Sequence, residues 1–145
     1  MKLAIVEDEV ILAMALTLML EDWGHEVVGT AESEASALAL LEGAQPDAVL
    51  MDIRLGRRDS GLRAAGLIRA VSDVPIVFCT AYADTPAIQA EVRDIGNAHL
   101  IGKPVDEDRL EYLLRSIEQR DRQKAAGSSV ARRLTRPLQP ALNDQ

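Results

Sequence analysis

The sequence predicts a three-layer α/β domain in which a five-stranded parallel sheet is doubly wound, with helices on both faces. Three observations lead there. Five short β-like runs alternate with five helix-length stretches along the chain. The interiors of those runs are continuously apolar, as in strands covered on both faces. Several of the runs end in an acid or a hydroxyl residue, at the strand ends where parallel sheets build their sites.

Lys2–Glu7 (KLAIVE) is a β-branched apolar run ending in acids, and Glu9–Trp23 follows as a helix closed by Gly24. His25–Thr30 is the second strand, and Ser33–Leu41 the second helix, stopped by Gly43 and Pro46. Ala48–Ile53 (AVLMDI) is a third strand, followed by a loop over Arg54–Ser60 and a helix over Gly61–Val71. Pro75–Thr80 is the fourth strand. Thr85 and Pro86 supply the N-cap and first position of a fourth helix that ends at Gly96. His99–Ile101 is a short fifth strand and Asp106–Arg120 a final amphipathic helix. Strands of this length separated by helices mean βαβ units. No glycine-rich phosphate loop follows the first strand, which speaks against dinucleotide and P-loop nucleotide binding.

The 145 residues suit one domain with a single sizeable core. Charge divides it in two. Residues 1–118 carry 10 Lys/Arg against 21 Asp/Glu, whereas residues 119–145 carry 6 against 2. The acidic body disfavours nucleic-acid backbones and favours divalent cations, so neither direct DNA binding nor membrane contact is expected. Periodicity stops near Gln123, which divides the chain into a folded unit, residues 1–122, and a basic polar tail, residues 123–145, expected to be flexible. A single cysteine, Cys79, excludes an internal disulfide and fits a reducing cytoplasm. It lies mid-strand and reads as a small buried hydrophobe. His25 and His99 fit no zinc spacing.

Chemistry gathers at the strand ends. Glu7 and Asp8 end the first strand, Asp52 the third and Thr80 the fourth, and Lys103 follows the fifth. A parallel sheet brings these ends to one edge. Three carboxylates there repel one another and raise pKa values unless a cation intervenes. Mg²⁺ suits one or two carboxylates plus waters and phosphate oxygens. A lysine then offers a point charge to a phosphoryl oxygen and a threonine hydroxyl a hydrogen bond. Asp52, central in the group, is the candidate nucleophile. Taken singly, each residue has an ordinary structural reading: an acidic first helical turn, a turn cap, a strand threonine, a turn lysine. Only their joint occurrence points to a site.

The set Glu7-Asp8, Asp52, Thr80 and Lys103-Pro104 resembles the receiver domain of bacterial two-component response regulators, over roughly residues 2–120. The resemblance implies a flavodoxin-like sheet of order 2-1-3-4-5. It implies phosphorylation of Asp52 by a sensor histidine kinase or a histidine phosphotransfer protein. It also implies Mg²⁺ held by Asp8, Asp52 and the backbone carbonyl of Arg54, with Glu7 acting through a metal-bound water. Thr80 would swing toward the phosphoryl group, Lys103 would pair with it, and the Lys103–Pro104 bond would be cis.

The sequence also departs from the family pattern. Leu100 stands where receivers usually carry Tyr or Phe, and Leu55-Gly56 replaces the usual Met-Pro after the phosphoacceptor. Phe78-Cys79-Thr80-Ala81-Tyr82 is similar to the Phe-Ala-Thr-Gly motif of the FATGUY subgroup of stand-alone receivers, which also lacks that aromatic. Tyr82 would then report the site's state in its place, with Thr80, Leu100 and Pro104 as its companions in switching.

On a helical wheel of the first helix, Leu12, Ala15, Leu16, Met19 and Leu20 share the core face, and Val10, Met14 and Leu18 lie opposite. Met14 and Leu18 are therefore candidates for docking the phosphodonor, a role this helix usually has in the family. The expected function is a phosphorylation switch acting through protein contact, as a stand-alone receiver, a relay intermediate or a phosphate sink. Its downstream partner is unnamed by the sequence, and a homodimer is compatible with it. An aspartate-nucleophile phosphohydrolase usually needs a second acid two residues after the nucleophile, where this chain has Arg54.

Overall fold

The computed structural model describes residues 1–135. Five parallel strands form the main sheet: β1 (Lys2–Val6), β2 (Glu26–Ala31), β3 (Ala48–Asp52), β6 (Ile76–Thr80) and β7 (Ala98–Gly102). Between β3 and β6 lies a small antiparallel hairpin of β4 (Arg54–Leu55) and β5 (Asp59–Ser60). The helices are α1 (Val10–Asp22), α2 (Glu34–Ala44), α3 (Gly61–Arg69), α4 (Pro86–Ile95) and α5 (Glu107–Leu134). The sheet order is β2-β1-β3-β6-β7. Counting main-sheet strands alone, this is the 2-1-3-4-5 order expected of the doubly wound fold.

Alternation along the strands makes two cores. Ala4, Val6, Val49, Met51, Ile76 and Phe78 point to one face, where α2, α3 and α4 bury Ala37, Ala64, Ala65, Ile68 and Val92. Leu3, Ile5, Leu50, Val77 and Cys79 point to the other, against Ala13, Leu16 and Leu20 of α1 and Leu110, Leu114 and Ile117 of α5. Ala64 and Ala65 leave α3 room to lie close on the sheet. Phe78, the sole phenylalanine, fills the centre of the first core and is fully buried.

Several boundaries differ from the sequence reading for local reasons. Gly43 lies inside α2, and the helix stops instead at Gln45, whose φ is +47°. Pro46 follows, and proline drives its predecessor out of the helical region. Thr85 has extended backbone before α4 but makes no side-chain cap. Ser33, Ser60 and Asp106 do cap α2, α3 and α5. On α1 the buried face is Ala13, Leu16 and Leu20, while Ala15 is exposed. The expected loop over residues 54–60 contains the hairpin, pinned by the buried Leu55.

The largest correction concerns the carboxyl end. Helix α5 does not end at Arg120; it continues to Leu134, so residues 123–134 are helical rather than irregular. Ion pairs Arg115–Glu111 and Arg122–Glu118, each one turn apart, brace the stretch of α5 that leads into this continuation. The flexibility expected of the tail from residue 136 on lies outside the described residues.

Two features of the frame carry predictions. Gly61 donates its N–H to the Ile53 carbonyl, and a Cβ there would overlap the backbone oxygen of Asp52. Gly61→Ala should cost about 3 kcal/mol, the upper end for overpacking, because backbone cannot yield as a side chain does; urea unfolding measures it. His99 on β7 has a buried Nε2 without a hydrogen-bond partner among the described residues, and burial, then nearby Arg120, lowers its pKa. The unfolded imidazole titrates near about 6.5, so below that value the unfolded chain binds a proton the folded one refuses. Stability from this group is present above the unfolded pKa and is lost as pH falls toward the folded one. His99→Leu should therefore lose less stability than wild type between about pH 8 and about pH 5 in paired denaturant titrations.

Candidate functional site

Strand register brings the acids together. β1 and β3 are neighbours paired through Val6 and Met51, so Glu7 and Asp8 leave β1 beside Asp52 at the end of β3. Carboxylate oxygens of Glu7, Asp8 and Asp52 lie within 4.8 Å of one another. Glu7 is only 5% exposed. Burial, followed by the charge of Asp52, pushes its carboxyl up to about 7, against the opposing pull of Lys103 and of the Glu9 N–H. A cation among these acids would relieve that conflict. Three hard oxygen donors from two strand ends, two of them only partly buried, fit a divalent ion such as Mg²⁺, which keeps several waters.

Lys103 faces the acids from beyond β7. Its Nζ donates to Asp52 Oδ2 at 3.0 Å and to Glu7 Oε2 at 3.3 Å. Burial alone would lower its pKa, but the hydrogen bond and charge of Asp52, joined by Glu7, outweigh burial and hold the ammonium above its ordinary value. The Lys103 N–H donates to the Thr80 carbonyl at 2.8 Å, which locks the turn after β7 to the end of β6. The Lys103–Pro104 peptide is cis, as the resemblance implies.

Thr80 is buried at the end of β6, one step beyond the Asp52–Cys79 pairing. Its hydroxyl accepts the Tyr82 N–H at 3.1 Å. Cys79 beside it is inert: burial pushes its thiol up to about 12. Leu100 on β7 pairs with Phe78 on β6 and lines a shallow cavity of about 320 Å³ with Ala83, Val92 and Arg109. Val10, Met14 and Leu18 are exposed on α1. With Glu7, they border a groove of about 500 Å³ that opens beside the acids.

Sequence reasoning missed three contacts. The Arg54 guanidinium stacks 4.5 Å over the Tyr82 ring, a favourable cation–π geometry. Arg54 follows Asp52 by two residues and Tyr82 follows Thr80 by two, on neighbouring strands, and that parity was the available signal. The Gly56 N–H, in the hairpin turn at φ +69°, donates to Asp8 Oδ2 at 2.9 Å and orients the carboxylate. Glu34 at the start of α2 accepts from the Ser60 N–H at 2.8 Å and from Arg63 Nε at 2.7 Å, while Asp59 accepts the Glu34 N–H. These bonds tie the hairpin to α2, and nothing in the spacing announced them.

Residues 3–115 match the family described as response regulator receiver domain. The transcriptional regulatory protein PdtaR of Mycobacterium tuberculosis is 37% identical over 103 residues, 71% of this chain and 49% of that protein. The chain thus spans about half the length of the curated relatives it first matches. Among solved structures, the signal receiver domain of a modulated diguanylate cyclase from Desulfovibrio desulfuricans superposes with a TM-score of 0.74 at 27% identity, covering 85% of this chain and 97% of that one. The response regulator PhyR from Brucella abortus gives 0.69 at 32%, covering 87% of this chain and 51% of that one. The fold agrees with these solved structures, the family match covers most of the sequence, and the chain belongs to the response regulator receiver domain family.

Proposed function

We propose that this receiver accepts a phosphoryl group on Asp52 from a phosphohistidine of a sensor kinase or phosphotransfer protein, and signals by changing its protein contacts. The observation carrying this reading is Lys103 Nζ held 3.0 Å from Asp52 across from the acid cluster. A carboxylate oxygen of Asp52 attacks phosphorus, the P–O bond forms, and the P–N bond to the donor imidazole breaks, leaving the imidazole to take up a proton. Mg²⁺, when bound, neutralises carboxylate and phosphoryl charge and orients the phosphoryl oxygens. Asp8, Asp52 and the Arg54 backbone carbonyl would hold it, and Glu7 would reach it through water. Lys103 steadies one phosphoryl oxygen and the Thr80 hydroxyl donates to another.

The added charge, roughly −1.5 to −2, biases the β6–α4 loop through Thr80. Tyr82, tethered to Thr80 by its N–H and covered by Arg54, is the proposed reporter in place of the ring that Leu100 lacks, with Pro104 fixing the lysine turn. A phosphorelay intermediate or phosphate sink uses the same chemistry. Among the described residues no helix is long and apolar enough to cross a membrane, and we place the protein's action in the cytoplasm with its phosphodonor.

We also assign donor docking to Met14 and Leu18, exposed at 60% and 68% on the α1 face beside the acids. An apolar patch next to the nucleophile suits a partner that must bring its imidazole to Asp52.

Three outcomes check these assignments. Incubated with Mg²⁺ and acetyl phosphate, wild type should gain the mass of one phosphoryl group and Asp52→Ala none; a gain in both sinks the phosphoacceptor assignment. In the same assay Tyr82→Ala should be phosphorylated yet lose the change in amide exchange over α4 and β7; an unaltered change removes Tyr82 as reporter. Met14→Glu should slow transfer from a phosphorylated kinase by about tenfold or more, since it buries a charge in the interface, and leave acetyl phosphate reactivity intact. Equal loss of both reactions argues against the docking role.

A further inference from the structure

From Gln119 to Thr135 every residue of the α5 continuation and its end is exposed, along about 24 Å of helix on which no other described element packs. Gly127, Ser128 and Ser129 are poor helix formers, and a solvated helix of this length is marginal even when one end is anchored. Such a segment orders best against a partner.

Its surface is organised. Tyr112, Ser116, Gln119, Gln123, Ala126 and Val130 follow one another at alternating spacings of four and three residues, the repeat of a helix–helix seam. No charge interrupts them, although charged residues crowd the rest of the helix. The two large apolar members, Tyr112 and Val130, are 74% and 57% exposed, and Leu134 borders the seam at 81%. Charge is graded along the same helix. Residues 107–118 hold four acids, Glu107, Asp108, Glu111 and Glu118, against two arginines. Residues 119–134 hold five bases against Asp121 alone.

We infer that α5 pairs antiparallel with α5 of a second copy of this chain. A helix acidic in its first half and basic in its second is complementary to itself only when reversed; a parallel pair would set the basic halves side by side. The reversed register centred on Asp121 lays Tyr112 of each copy against Val130 of the other. It also brings Lys124 level with Glu118 and the Arg132-Arg133 pair level with Leu110 and Arg109, between Asp108 and Glu111. Each contact occurs twice, as a two-fold interface requires. Arg115 and Arg122, which flank the seam, are already paired with Glu111 and Glu118 of their own helix, which moderates repulsion at the centre.

This pairing goes beyond the phosphoacceptor reading and does not depend on it, so Asp52→Ala should associate as wild type does. The test is sedimentation equilibrium of the full chain, joined to disulfide mapping. At low salt wild type should be a monomer–dimer equilibrium whose dissociation constant rises about tenfold between about 0.05 and about 0.5 M NaCl. Val130→Asp should weaken it by more than about tenfold, with an unchanged circular dichroism spectrum over the body. Tyr112→Cys mixed with Val130→Cys should oxidise to the mixed dimer faster than either forms its own; native Cys79 is buried and does not compete. A chain that stays monomeric at about 1 mM in low salt overturns the inference. Faster self-disulfide of Val130→Cys, the mark of a parallel pair, overturns it equally.

Discussion

Everything at this site follows from the meeting of acids from two adjacent strand ends with a single lysine. Like charges about 4 Å apart repel by about 4 kcal/mol at an effective dielectric of about 20, and a domain's whole stability is about 5–15 kcal/mol. The fold tolerates Glu7, Asp8 and Asp52 together because Lys103 bonds two of them and a backbone N–H holds the third. The residual strain falls on Glu7, the most buried of the three, whose proton is held to near neutral pH. A site of this kind is poised for positive charge, and a cation and a phosphoryl group can enter it as a pair.

The surrounding structure keeps those groups in place. The β4–β5 hairpin is anchored below by Leu55, at its turn by the Gly56–Asp8 bond, and at its far strand by Glu34 and Asp59. Gly61 lets α3 begin directly against the Asp52 backbone. The acids therefore stand on a braced edge, while Thr80 is the buried last residue of β6 and Tyr82 stands exposed on the loop that follows.

The fold was legible because apolar runs and helix stretches alternated without exception through residue 120, and because the strand ends carried unlike residue types at one edge. The site was legible for the same reason: Asp8, Asp52, Thr80 and Lys103 each occupy the end of a strand or the turn after one. Less legible were contacts set by loop path, such as the Glu34 clamp and the Arg54–Tyr82 stack, since spacing carries no trace of which loop folds over which. Residues 123–134 were misread because Gly127, Ser128 and Ser129 are weak helix formers, and composition does not reveal that a helix already nucleated upstream can continue through them. Ala15 was misplaced because α1 is apolar nearly all round, so periodicity alone ranks its faces poorly.

The bond from the Tyr82 N–H to the Thr80 hydroxyl makes the end of β6 a mechanical linkage. One oxygen anchors the following loop, one residue beyond the strand pair that Asp52 makes with Cys79. A rotation that carried this oxygen inward would either break the bond or draw the amide after it, and with the amide the aromatic ring beneath Arg54. In the proposed switch, a displacement the size of a single torsion would thereby be handed from a buried atom to the outer surface, with no lever longer than two residues.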